Sequence, residues 1–110
     1  MSTWPPPPNL DSIRTLVREA DPEGYIAEGS APDEYEIEED AIFAFIAKLS
    51  TEQLTETNLM PIIEQVWRNS FAYDDEALSR SRPALCQIAH RISLFFGPGA
   101  MPQVRSNSGA

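Results

Sequence analysis

Leu59-Met60-Pro61-Ile62-Ile63-Glu64-Gln65-Val66-Trp67 is the stretch on which the fold turns. Leu59, Ile62, Ile63, Val66 and Trp67 fall on one face of a 3.6-residue repeat, and no alternating pattern competes with it. The spacing predicts a helix capped by Thr57 or Asn58. Pro61 then sits in the first turn, where a missing N–H costs no intrahelical bond. Just upstream, Ser50 and Gln53 have capping-box spacing and predict a short helical turn.

Earlier still, Ile42, Phe45, Ile46 and Leu49 form the core face of another helix, widened by Phe43. It opens near Pro32-Asp33, where proline suits a first turn and carboxylates complement the positive end of the helix dipole. Asn9 or Asp11 caps a first helix with Ile13, Leu16, Val17 and Ala20 on its buried side, and Asp21-Pro22 stops it. Between these two, the run from Glu23-Gly24-Tyr25 to Gly29-Ser30-Ala31-Pro32 is rich in turn formers and without period, so it reads as an ordered loop. Downstream, Phe71 to Glu76 breaks the period. A last helix carries Leu85, Ile88, Ala89, Ile92, Phe95 and Phe96, starting either at a Ser81 cap or at Asp75 with a kink at Pro83. Gly97-Pro98-Gly99 ends it.

Helical periods without a strand pattern predict an all-α fold, a small helical bundle of about four amphipathic helices. The 110 residues divide into a proline-rich extended head (1–8), one helical domain (9–97) and a flexible tail (98–110). Pro5 to Pro8 predict a polyproline II strut, and Trp4 beside it either packs on the domain edge or makes a docking segment with the prolines. Hydrophobic residues at 42% are enough to fill one core. No apolar run reaches bilayer length and the first residues lack the pattern of a signal peptide, so a cytoplasmic location is expected, without membrane contact.

The 17 acidic residues outnumber the 8 basic ones for a formal charge of −9. Such a surface repels nucleic acid and anionic lipid and attracts basic proteins. A single cysteine, Cys86, and a single histidine, His90, leave no disulfide and no multi-cysteine zinc site. Neither a metal nor a cofactor is expected.

Three clusters could carry chemistry. The block Asp33, Glu34, Glu36, Glu38, Glu39, Asp40 reads first as a solvated helix start, with a docking face for a basic partner as its functional counterpart; it lacks the ligand pattern of a calcium loop. Cys86 and His90 stand one helical turn apart, the spacing of an activated thiol, yet they flank Leu85 and Ala89 on an expected buried edge, and no nearby acid is evident to orient the imidazole. Arg80, Arg82 and Arg91 are expected to serve as caps or as ion-pair partners of the acid-rich second helix rather than to bind phosphate.

The segment Asp21-Pro22-Glu23-Gly24 through Gly29-Ser30-Ala31-Pro32-Asp33-Glu34-Tyr35, with Glu38 a turn later, resembles the signature of a family of small uncharacterised bacterial proteins similar to YugE of bacilli. That pattern is D-P-x-G, a short spacer, then G-x-P-x-D-E-Y, and here one spacer residue before Asp33 is missing. The likeness spans about Leu10 to Phe96. It implies a compact helical fold in a bacterial cytoplasm and a role such as immunity or accessory protein, with no activity to carry over. Physically, Asp21 accepts bonds from the turn it opens, and Tyr35 packs under the loop with its hydroxyl bonded to it.

The expectation is thus a non-enzymatic acidic module that binds a basic protein partner through Tyr25, Asp33, Glu34, Tyr35 and Glu38. Its rivals are a small metal-dependent or cysteine-based hydrolase and a helical homodimer joined through a Trp67 or Phe96 stripe.

Overall fold

Three of the four helices begin where a side chain accepts one of the amide protons that the first turn leaves unbonded, and the second, which opens after Tyr35, has no such cap. A computed structural model describes residues 7–30 and 32–100 and contains four helices: α1 Leu10–Ala20, α2 Glu36–Ile46, α3 Glu56–Phe71 and α4 Asp75–Phe96. Among the described residues there is no strand, and the fold is all-α. Asn9 caps α1 by accepting from the Ser12 N–H at 2.9 Å, and Asp74 caps α4 by accepting from the Ala77 N–H at 2.8 Å. Short 3₁₀ turns cover Pro32–Tyr35 and Thr51–Gln53. In the second, Gln53 Oε1 accepts from the Ser50 N–H at 2.9 Å, as the capping-box spacing predicts. Residues 1–6 and 101–110 lie outside the described residues, so the readings of Trp4, most of the proline head and most of the tail have no counterpart here.

The starts of α2 and α3 differ from expectation: the residues from Pro32 to Tyr35 form a 3₁₀ turn, and α2 itself begins at Glu36. Thr55, rather than Thr57 or Asn58, caps α3 by accepting from the Asn58 N–H, which places Pro61 in the second turn. Pro61 is exposed, so the Thr57 carbonyl left without its N–H can turn to water. For α4 the earlier of the two starts is the one used. Ser81 and Pro83 both lie within one continuous helix, and Ser81 is buried rather than capping.

The helices close a ring in which α1 lies against α2 and α4, and α3 against α2 and α4. Ile13, Leu16 and Val17 of α1, Ile42 and Ile46 of α2, Leu59, Ile63, Val66 and Trp67 of α3, and Leu78, Leu85, Ile88 and Ile92 of α4 fill the interior. Trp67 and Phe96 both belong to this core. Gly97 ends α4 by close approach: a Cβ there would meet the carbonyl oxygens of Leu54 and Ser93.

The inward face of α2 also departs from expectation. Phe45 is 47% exposed, while Glu38 and Glu39 point inward with Ile42 and Ile46. The cause lies in its neighbour. Arg18 of α1 reaches the buried Glu39 carboxylate at 3.1 and 3.4 Å, and Arg14 adds contacts to Glu36, Glu39 and Asp40, so α2 docks with a charged edge turned toward α1. Arg82 and Arg91 do not pair with α2 as expected. They meet Glu64 of α3 and Glu19 of α1, because α4 packs chiefly against those two helices.

Helix α3 ends on Ala72 in the left-handed region, with φ of 55°. An exposed alanine there carries a steric cost that glycine does not, about 1–2 kcal/mol before the greater freedom of glycine in the unfolded chain is set against it. Ala72→Gly should raise stability by about 0.5–1 kcal/mol, seen as a higher denaturant midpoint at unchanged slope.

Candidate functional site

The loop between α1 and the first 3₁₀ turn is built by two carboxylates two residues apart. Asp21 adopts a left-handed backbone (φ 46°) as its N–H donates to the Val17 carbonyl at 2.8 Å. Its side chain then closes the loop: Oδ1 accepts from the Ile26 N–H at 3.1 Å and Oδ2 from the Ala27 N–H at 3.0 Å. Gly24 and Gly29 supply the positive φ that such a tight path requires. The Tyr35 hydroxyl donates to Asp21 Oδ1 at 2.7 Å and accepts from the Glu23 N–H at 2.8 Å, as the reading of Tyr35 beneath the loop anticipates.

Glu23 ties that loop to the other half of the bundle. Its Oε2 accepts from Trp67 Nε1 of α3 and from Ser81 Oγ of α4, each at 2.8 Å, and its Oε1 accepts from the Tyr73 hydroxyl at 2.5 Å. One carboxylate thereby satisfies the indole N–H of the largest buried side chain. Around it runs an aromatic chain: Tyr25 stacks on Tyr35 at 5.4 Å, Tyr35 meets Trp67 at 6.1 Å, Trp67 meets Phe71 at 5.6 Å, and Phe71 stacks on Tyr73 at 5.3 Å. Sequence reading missed Glu23 in this role. The available signal was the buried face of Trp67, whose indole N–H demands an acceptor that α3 itself does not provide.

The electrostatics follow from burial. All three tyrosines of the chain are held above their ordinary range. Tyr73 is pushed up to about 12 by burial and by its bond to Glu23. Tyr35 is raised further by burial and Asp21, and Tyr25 by burial and by the carboxylates of Glu23, Glu34, Glu38 and Glu28. Burial pushes Asp21 up, but the Tyr35 hydroxyl and the loop amides outweigh it and hold the group below the usual carboxylate range. Burial raises Glu39 despite Arg18 and Arg14.

The expected partner-binding residues are divided by the structure. Tyr25 is half-buried at the loop surface and Glu34 is exposed beside it, while the side chain of Asp33 lies outside what is described. Tyr35 is fully enclosed and Glu38 is only 5% exposed. Tyr35 therefore pins the loop instead of meeting a partner, because its hydroxyl is drawn inward by Asp21. The burial of Glu38 and Glu39 likewise corrects the picture of a wholly solvated acidic helix start.

Cys86 and His90 are both exposed, contrary to the packed edge expected of them. His90 Nδ1 lies 2.8 Å from Glu56 Oε1 of α3, an acid that is distant in sequence. No hydrogen bond joins the thiol to the imidazole among the described residues. Nor, among those residues, does any group of three or more His, Cys, Asp or Glu side chains offer a metal site.

Glu23→Ala should cost about 2–4 kcal/mol in denaturant unfolding, since it strands the Trp67 indole N–H and two hydroxyls, whereas Tyr73→Phe should cost about 1 kcal/mol. A tyrosine whose folded value is raised keeps its proton in the native state after the unfolded chain has lost it. Stability is then intact below about pH 10 and falls as pH climbs through Tyr73's value of about 12. In an alkaline titration, phenolate absorbance should appear together with loss of helical circular dichroism and not before it.

No family model, no curated protein and no solved structure matches the chain, so the reading of the site rests on its own geometry.

Proposed function

We propose that the chain is a non-enzymatic, acidic protein-binding module that captures a basic protein partner, in the manner of an immunity or accessory protein. The observation that carries this reading is the outer face of α2. Ile37 is 74% exposed and Phe45 also stands out, and with Ala41 and Ala44 they follow the i, i+4, i+7, i+8 spacing of one helical stripe. Single exposed apolar residues need no explanation, whereas a stripe beside a completed core supports a docking role.

Charge favours the occupant. Arg14, Arg18, Arg68, Arg82 and Arg91 are engaged in ion pairs, while Glu28 and Glu34, near the N-terminal end of the stripe, have none among the described residues. A net charge of −9 sets two copies of the chain against each other, so a basic partner with an apolar face is preferred to a homodimer. No helix of the described residues is long and apolar enough to cross a membrane. The likeness of the loop motif to the YugE-like family is part of the same proposal and adds the bacterial accessory role.

One observation favours a second reading. The contact between His90 and Glu56 supplies the orienting acid that a cysteine-based hydrolase would need beside Cys86. Alkylation of the native protein separates the two: slow modification at neutral pH, unchanged by His90→Gln, goes against the enzyme.

A basic protein retained from the source cell at low salt should bind at least about tenfold more weakly to Ile37→Glu, with association slowing steeply as salt is raised. Ile37 is exposed, so the thermal midpoint of that variant should not move. Equal binding by the variant, or binding indifferent to salt, contradicts the proposal.

A further inference from the structure

We infer that Glu38 and Tyr25 form a seat for a single guanidinium group, an arginine side chain on the partner. The inference rests on the binding reading above and deepens it. Two adjacent carboxylates of α2 are buried, and they differ in what meets them. Glu39 has its cations inside the chain, Arg18 at 3.1 Å and Arg14 at 3.5 Å. Glu38, 5% exposed, has no such cation, and its Oε1 is buried without a hydrogen-bond partner among the described residues. A desolvated carboxylate oxygen with no donor weakens the fold, and a cation from outside would remove that penalty.

The surroundings fit a guanidinium. Glu38 stands one helical turn beyond Tyr35, on the same inward face, and the Tyr25 ring stacks on Tyr35 at 5.4 Å. Tyr25 is half-buried, so part of its surface remains open, and its hydroxyl makes no hydrogen bond among the described residues. Glu38 is among the carboxylates whose charge acts on the Tyr25 hydroxyl, and an aromatic ring within the field of a carboxylate suits a planar cation, which can stack on one and donate to the other; a compact ammonium fits less well. Glu28 and Glu34 are exposed at the rim, without an ion pair among the described residues, and both act on the Tyr25 hydroxyl together with Glu38 and Glu23. No basic group of the described chain pairs with Glu28, Glu34 or Glu38. The apolar stripe begins at Ile37, next to the seat, so one partner segment could place an arginine in the seat and an apolar side chain on Ile37.

The test is a nuclear magnetic resonance titration of the full-length, isotope-labelled protein with Nα-acetyl-arginine amide, run beside the lysine amide and the neutral citrulline amide. Saturable shifts should centre on Tyr25, Glu34, Ile37 and Glu38 with arginine, weaken with lysine and be absent with citrulline. Glu38→Gln should weaken arginine binding by about tenfold or more, and Glu34→Gln, at the rim, by about two- to threefold. Glu38→Met should abolish the shifts while raising the thermal midpoint, because it removes a buried carboxylate oxygen that has no hydrogen-bond partner among the described residues. Equal shifts with citrulline, no saturable shift with either cation, undiminished binding by Glu38→Gln, or a lower midpoint for Glu38→Met overturns the seat. If a basic partner is captured through Ile37 but is indifferent to Glu38→Gln, the seat falls and the module stands. If arginine titrates at Glu38 but no basic partner is captured, the module falls and the cation site stands.

Discussion

The carboxylate of Glu23 is the joint on which the rest of the structure depends. It lies in a loop, yet it accepts hydrogen bonds from Trp67 of α3, Ser81 of α4 and Tyr73 of the link between them. These donors come from positions that are far from it along the chain and have no other acceptor among the described residues. A buried indole N–H left unpaired weakens a small domain that has little stability to spare. The loop therefore behaves as a wall of the bundle, with Asp21 and Tyr35 as the internal struts that hold Glu23 in register.

That arrangement also sets how α2 is rotated. Tyr35 must turn its hydroxyl under the loop, and Arg18 draws Glu39 inward from the neighbouring helix. With those two positions fixed, helical geometry carries Glu38 inward and leaves Ile37 and Phe45 outside. The exposed apolar stripe and the buried Glu38 oxygen without a hydrogen-bond partner among the described residues thus follow from one constraint. Both are features a fold optimised only for stability would discard, which gives the proposed binding role its physical basis.

Much of the fold was legible because it rests on local periodicity. The stripe Leu59, Ile63, Val66, Trp67 placed α3, and the four-helix count came from the same kind of pattern. Helix starts were less legible, since Thr55 and Thr57 are equally good caps in isolation and packing chooses between them. The α2 face was misjudged at Phe45 because its inward side is partly polar, and an apolar pattern alone cannot foresee carboxylates buried against Arg18. At the site, Asp21 and Tyr35 could be read from turn chemistry. Glu23 could not, because all three of its side-chain partners lie more than forty residues away.

Native-state hydrogen exchange at the Trp67 indole N–H tests the central claim most directly, since that proton is the donor held by Glu23. If the loop is part of the core, the indole proton exchanges only through global unfolding, with the same denaturant dependence as the backbone amide of Ile63. Exchange that is faster than at Ile63 and insensitive to denaturant would mean that the loop opens by itself, and it would contradict the account.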